Sequence, residues 1–322
     1  LRDDEGLQAT AEQLLESGSD PAITRRLLVE RRRRLEQQAA SLRALEKDMH
    51  RLAVTRDLAA ELAKPANESN LLRCALLLAR HANPELEVAA YMRAVERLAS
   101  ELRGDAEIRK GGLAAVLRLN RFLFEENGFH GCRNDFYNRS NSYVNEVIED
   151  REGLPITLSV VYVELTRMVG MTGPFSVAMP GKLMVSFPPE PDAEMRLVDV
   201  FEMGRVMSVE QAEADLNEFR TFDPELLEPA GNKAVILRMI KNLLSAALED
   251  DGSRERAMTY LNLSLALEPD STSDRFARAR LRQTEGDKPG AQADVRWLLE
   301  HAEGVPPDLR LQLEMWHESL GK

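Results

Sequence analysis

The sequence predicts an α+β fold in which helical regions precede and follow a small antiparallel sheet. The apolar run 156–169, opened by Pro155 and closed by Gly170, has the composition of a helix buried on most of its surface. Segments before residue 130 and after residue 228 repeat apolar residues at helical spacing. Short strand-like runs lie at 174–179, 183–187 and 195–201. Pro180-Gly181 and the Pro-rich segment 188–194 are the predicted connections between these strands.

A long helix is predicted near the N-terminus, from Asp20 as N-cap through Pro21 to about Ala63. Its apolar residues recur at heptad spacing, at Leu28, Leu35, Leu42, Leu45, Met49, Leu52 and Ala59. Three polar residues interrupt this stripe, namely Arg31, Gln38 and Arg56. Two interpretations stay open: an amphipathic helix that packs on its own domain, or a helix that pairs with a second copy in a homo-oligomer.

Further helices are predicted at 71–81, 83–103, 113–126, 233–248, 254–267, 273–285, 290–301 and 308–320. The breaks at Asp251-Gly252 and Gly286-Asp287 lie about one tetratricopeptide period, roughly 34 residues, apart. The pattern from Ala257 to Asp270 resembles the second helix of such a repeat. We therefore divide the chain into an N-terminal helical region (1–64), a core (65–228) and a tetratricopeptide-like helical domain (229–322). The last of these offers a surface for a protein or peptide partner.

Composition excludes several classes of protein. The net charge of −12 over 322 residues disfavours nucleic acid as a partner. No run approaches the roughly 18 apolar residues of a membrane-spanning helix, and no secretory signal is expected. The two cysteines, Cys74 and Cys132, form neither a disulfide framework nor a metal-ligand spacing. We expect a cytoplasmic protein with no metal, no cofactor and no membrane partner.

Motifs in the central region are ordered as in a known family. They are Asn141-Ser142-Tyr143, Val147, Arg151, Gly153, Pro155-Ile156-Thr157-Leu158-Ser159, Pro180-Gly181-Lys182-Leu183 and Asp199-Val200-Phe201. This order resembles the SirB1-like branch of the transglutaminase-like superfamily, and the helical tail resembles the tail of those proteins. The resemblance covers about residues 71–320. It implies a bacterial protein with a papain-type core, in which a buried helix packs against a small antiparallel sheet.

The resemblance also locates the positions of a thiol-enzyme triad. In active relatives a Cys opens the buried helix, a His begins a following strand and an Asp lies on the next strand; the matching positions here are Pro155, Lys182 and Asp199. Proline carries no nucleophile, and a lysine with a reference pKa of about 10.4 is protonated at neutral pH. A catalytic thiol needs a neighbouring imidazole to form its thiolate. No catalytic residue is therefore assigned, and the sequence predicts a non-catalytic binding or scaffold protein.

The alternative is a hydrolase or acyl-transfer enzyme with unconventional residues. Thr157 or Ser159 would be the nucleophile, with Lys182 as the base and Asp199 beside it. The competing interpretation is that both hydroxyls bond within the helix and that Lys182 and Asp199 form a salt bridge.

Residues of the family motifs also define a candidate ligand pocket. It would contain Asn141, Ser142, Arg151, Thr157, Ser159, Lys182 and Asp199. The competing expectation is that Asn141 and Ser142 cap a helix at 143–150. His130 and Cys132 are expected to be surface-loop residues outside the pocket.

Overall fold

The structure is a computed structural model that describes residues 10–13, 20–133, 138–171, 173–179, 182–187, 195–217, 224–250, 253–301 and 307–321. It divides into two compact units, Leu1–Ala53 and Val54–Lys322. The predicted strand connections at Pro180-Gly181 and 188–194 lie outside the described residues. Among the residues described, none of the helices combines the length and the apolar character needed to span a bilayer.

Helix α1 (Pro21–Leu62) begins where the sequence predicts it. Asp20 Oδ1 accepts a hydrogen bond from the Ala22 N–H at 2.8 Å, which confirms Asp20 as the N-cap. The heptad residues from Leu28 to Leu52 are 50–67% exposed, so the first unit alone does not bury the stripe. Pairing of this helix with a second copy stays a prediction.

The second unit opens with helices that enclose an apolar core. They are α2 (Leu71–Ala82), α3 (Val88–Leu102), α4 (Ala106–Lys110) and α5 (Gly112–Asn120), which continues as a π-helical segment, Arg121–Glu126. Nine of the 12 residues of α2 are buried, which explains its almost entirely apolar sequence.

A buried carboxylate, Glu61, joins the end of α1 to the start of α2. It is 4% exposed and accepts hydrogen bonds from Lys64 Nζ at 2.7 Å and from the Asn70 N–H at 3.1 Å. Arg73 Nε lies 3.3 Å away. Burial alone would raise the pKa of Glu61, but the hydrogen bonds and the charges of Lys64 and Arg73 outweigh it. The pKa therefore lies below its ordinary 4.5.

The predicted buried helix is confirmed as α7 (Pro155–Met168), in which 11 of 14 residues are buried. Before it, α6 (Val144–Asp150) connects β1 (His130–Gly131) to β2 (Glu152–Gly153), and the two short strands pair in parallel. Gly153 is required by close packing, since a Cβ there would lie 2.9 Å from Thr157 Oγ1 and from the Val147 side chain.

The described strands that follow α7 form an antiparallel sheet in the order β3-β4-β5-β6. Their bounds are β3 (Phe175–Met179), β4 (Lys182–Phe187), β5 (Arg196–Asp199) and β6 (Arg205–Ser208). Side chains alternate between two faces: Leu183 and Val185 join the main core beneath α7, while Met184 packs on the other side with Leu197 and Met207. Helix α8 (Val209–Asn217) follows β6.

The predicted third strand was too long. It ends at Asp199 because the Asp199 carboxylate accepts the N–H groups of Phe201 and Glu202, which turns the chain away from the sheet. Strand β6 was not predicted.

The described part of the tail has five helices, as the sequence predicts. They are α9 (Asn232–Glu249), α10 (Arg254–Leu267), α11 (Thr272–Thr284), α12 (Lys288–His301) and α13 (Pro307–Leu320). Each packs against the next, and α9 also packs against α2 and α7 within the main core. The final helices surround a separate apolar cluster that contains Val295 and Leu313. The boundaries predicted at 64 and 228 stay predictions.

Candidate functional site

A small cavity lies at the start of α7, where the sequence predicts the triad. Its volume is about 80 Å³, and it is lined by Leu154, Pro155, Ile156, Lys182, Leu183, Arg238 and Asn242. One water occupies roughly 30 Å³ of liquid volume, and ligand pockets typically measure about 300–1,000 Å³. The cavity brings Pro155 and Lys182 together, but it has room for a few waters rather than for a substrate.

Lys182 and Asp199 form the salt bridge that the sequence predicts as an alternative to catalysis. Lys182 Nζ donates to Asp199 Oδ2 at 2.7 Å, and the side chains are 31% and 3% exposed, respectively. Asp199 Oδ1 accepts the N–H of Phe201 at 3.1 Å and of Glu202 at 3.3 Å. Both oxygens of the buried carboxylate are therefore satisfied, one by an ammonium group and the other by the main chain.

The hydroxyl of Thr157 is part of the backbone architecture. Thr157 is fully buried, and its Oγ1 accepts the Leu154 N–H at 3.0 Å. Its own proton is donated to the carbonyl of Asn141 at 2.9 Å, with the Leu154 carbonyl at 3.1 Å. These bonds join the turn before α6 to the first turn of α7, and they leave the hydroxyl no proton acceptor of the kind that a nucleophile needs.

Ser159, two residues after Thr157, also donates its hydroxyl to main-chain carbonyls. It is fully buried, and its Oγ donates to the Pro155 carbonyl at 2.7 Å, with the Leu183 carbonyl at 3.4 Å. The bond to the Pro155 carbonyl is the intrahelical hydrogen bond that we expect if Ser159 has no catalytic role. Neither Thr157 nor Ser159 lines the cavity that Lys182 lines.

Asn141 and Ser142 do not line the small cavity. They belong to a short 3₁₀ helix, Arg139–Ser142, and are 7% and 4% exposed. The expectation that they cap the next helix was wrong, because the N-cap of α6 is Tyr143. The Asn141 side chain instead donates from Nδ2 to Cys132 Sγ at 3.0 Å.

Arg151 faces a different cavity from Lys182. It ends α6 in the left-handed conformation, at φ 63°, and its guanidinium carbon lies 4.5 Å from the centre of the Phe129 ring. Burial lowers the pKa of this guanidinium. With Tyr91 and Glu149 it lines a cavity of about 580 Å³. The seven predicted pocket residues therefore do not form a single pocket.

The two cysteines are buried, which corrects the expectation for Cys132. Cys132 is 2% exposed because its main chain continues the pairing of β1 with β2 and its N–H donates to the Gly153 carbonyl at 3.0 Å. His130, by contrast, is exposed as expected. Burial and the charge of Glu61 raise the pKa of the Cys74 thiol to about 12, which suppresses thiolate formation. Among the described residues, no group of three His, Cys, Asp or Glu is placed to hold a metal ion.

Arg238 and Asn242, which α9 contributes to the small cavity, were not predicted from the sequence. Arg238 Nη1 donates to the Met179 carbonyl at 3.2 Å, and burial lowers the pKa of its guanidinium. The available signal was that Arg238 interrupts the apolar run 234–240. An arginine within an apolar run does not by itself indicate that its side chain contacts residues more than 50 positions earlier in the chain.

Residues 89–241 match the model of the Transglutaminase-like superfamily. This range includes α7 and the four described strands of the antiparallel sheet. Residues 89–241 are therefore similar to a transglutaminase-like domain. The matched range extends from α3 into α9, and α9 packs within the main core.

Similar proteins occur in bacteria and in animals. UPF0162 proteins from two strains of Xylella fastidiosa are 29% and 28% identical over 238 and 234 residues, which make up 71% and 70% of this chain and 83% and 81% of the relatives. F-box only protein 21 of Pongo abelii is 27% identical over 198 residues, which are 59% of this chain and 31% of that protein. The segment similar to this chain is thus part of a larger protein.

Proposed function

We propose that this protein is a non-catalytic binding or scaffold protein built on a transglutaminase-like domain of the SirB1-like type. One observation carries the proposal: the three triad positions hold Pro155 and a hydrogen-bonded Lys182–Asp199 ion pair. Thiol catalysis requires a sulfur and an imidazole that activates it. At the matching positions, Pro155 has no side-chain nucleophile and Lys182 has an ammonium group.

The hydrolase or acyl-transfer alternative receives no support from the geometry. Its nucleophile would be Thr157 or Ser159, and each of these buried hydroxyls donates to a main-chain carbonyl. The nearby cavity of about 80 Å³ is also too small for an acyl substrate.

We further propose that the helical tail is tetratricopeptide-like and binds a protein or peptide. The support is an exposed apolar pair on α13, Leu311 and Met315, which are 58% and 65% exposed and lie one turn apart. Homo-oligomerisation through α1 and a cytoplasmic location are parts of the same proposal. They rest on the exposed heptad stripe and on the two buried cysteine thiols.

The test is quantitative affinity purification of the tagged full-length chain from extracts of its source cells. The tail variant Leu311→Ser/Met315→Ser should lose the specific partner. The matched control Leu113→Ser/Leu117→Ser alters a comparable pair on α5, with 39% and 49% exposure, and should retain it. Equal partner recovery with both variants would contradict a binding role for the tail.

A further inference from the structure

A second large cavity lies away from the triad positions, beside the C-terminal half of α7. Its volume is about 530 Å³, within the usual range for small-molecule sites. Val163 and Arg167 of α7 line it, together with the first residues of β3 and of α9. Pro155, eight residues before Val163, is about 12 Å away along the helix axis. The cavity is thus separate from the candidate site described above.

The lining is positively charged on a strongly acidic chain. Its charged residues are Lys64, Arg167, Lys233 and a single carboxylate, Glu164, whereas the whole protein carries −12. Arg167 and Glu164 form an ion pair, and Asn70 Nδ2 donates to Glu164 at 2.9 Å. Lys64 is paired with Glu61, so among the described residues Lys233 is the cation of this lining that has no ion-pair partner. The local field therefore favours an anion.

The N-terminus of α9 opens into this cavity. The helix is 18 residues long, and its N-cap is Gly231, which has no side chain to accept the first N–H groups. Gly231 and Lys233 both line the cavity. Unpaired N–H groups and the positive end of the helix dipole together form an anion-binding arrangement.

An independent observation also indicates a ligand. Ser176, on β3, is 3% exposed and lines the same cavity. Within the described residues its Oγ is buried without a hydrogen-bond partner. The Ser176 carbonyl accepts the Ala230 N–H at 2.8 Å, which holds this residue beside the start of α9. A buried hydroxyl without a partner is destabilising, and a ligand oxygen would satisfy it.

The remaining wall is apolar and includes Leu62, Leu71, Val163, Phe175 and Pro229. We propose that this cavity binds a linear apolar molecule that ends in a carboxylate. The carboxylate lies at the N-terminus of α9, where it accepts hydrogen bonds from the first-turn N–H groups and from Ser176 Oγ. The apolar body packs against the side chains of α7 and β3.

Calorimetric titration of the full-length protein tests this proposal with probes that separate two sources of such a carboxylate. Octanoate represents a fatty acid, and N-acetyl-Leu-Phe represents a peptide C-terminus. Octanol, octylamine and the amidated peptide have the same apolar bodies without the negative charge. At least one acid should bind at one site per chain, and the three uncharged or cationic probes should not.

Substitutions at Gly231 locate the site. Gly231→Asp places a carboxylate at the N-cap and should weaken binding of the acid at least tenfold, since it competes for the same N–H groups. Gly231→Ala is the matched control, because φ is −61° and an added Cβ meets nothing within 4 Å. It should bind as the wild type does.

Two further variants test the proposal without altering the helix cap. Ser176→Ala should weaken binding about tenfold, and Lys233→Ala about threefold. The proposal is overturned if neither acid binds, or if binding is unchanged in both Gly231→Asp and Ser176→Ala.

Discussion

Replacing Thr157 with Val should destabilise the protein, although the substitution preserves the size of a fully buried side chain. The wild-type hydroxyl accepts the Leu154 N–H and donates to the Asn141 carbonyl, at 3.0 and 2.9 Å. Valine satisfies neither group, which leaves the Leu154 N–H and the Asn141 carbonyl only their long mutual hydrogen bond of 3.5 Å in the buried region around the start of α7. A buried polar group left without its partner costs about 1–3 kcal/mol, so we expect a loss of about 2 kcal/mol.

Urea unfolding followed by far-ultraviolet circular dichroism measures this loss, and a thermal scan should show a decrease of about 4–8 °C in Tm. Ser159→Ala is the comparison, because that hydroxyl donates only to carbonyls and satisfies no N–H group. It should cost less than about 1 kcal/mol. If Thr157→Val were within about 0.5 kcal/mol of the wild type, the structural role assigned to Thr157 would be refuted.

Three other predictions concern buried ionisable groups. Lys182→Met leaves the Asp199 carboxylate buried without its cation and should cost about 1–3 kcal/mol in urea unfolding, whereas Lys182→Arg should retain most of the stability. Because the pKa of Glu61 is lowered from 4.5 on folding, its contribution is complete above that pH and is lost as the pH falls through the lower folded value. Glu61→Gln should therefore flatten the dependence of stability on pH below about 4.5, and an unchanged slope would exclude this role. Since its pKa is raised to about 12, Cys74 should resist iodoacetamide at pH 8 in the native protein and react in urea, as peptide mass spectrometry would detect.

The central helix was predictable because its signals are local. Pro155 fits the first helical position, and the apolar run that follows it suits a helix enclosed on nearly every side. The pairing of Lys182 with Asp199 was also predictable, because the family motifs placed both residues on neighbouring strands. Both predictions depend on short sequence motifs, one at the start of the helix and one on each of the two strands.

The missed features depend on contacts between distant parts of the chain. Strand β6 has only four residues and is defined by its ladder with β5, not by its own pattern. Arg238 reaches the small cavity only because α9 folds back against α7. Cys132 is buried because the two preceding residues, which form β1, pair with β2 directly before α7. Local periodicity does not encode such pairings.

We propose that the segment similar to the Transglutaminase-like superfamily has no nucleophile at its triad positions. Intact-protein and peptide mass spectrometry after incubation with fluorophosphonate and iodoacetamide probes at neutral pH tests it directly. The wild type should carry no label between Pro155 and Lys182, whereas Pro155→Cys/Lys182→His should be alkylated there faster than Pro155→Cys/Lys182→Met, because an imidazole lowers the pKa of a neighbouring thiol and an uncharged thioether does not. Stoichiometric labelling of wild-type Thr157 or Ser159, abolished by Thr157→Val or Ser159→Ala, would contradict the account.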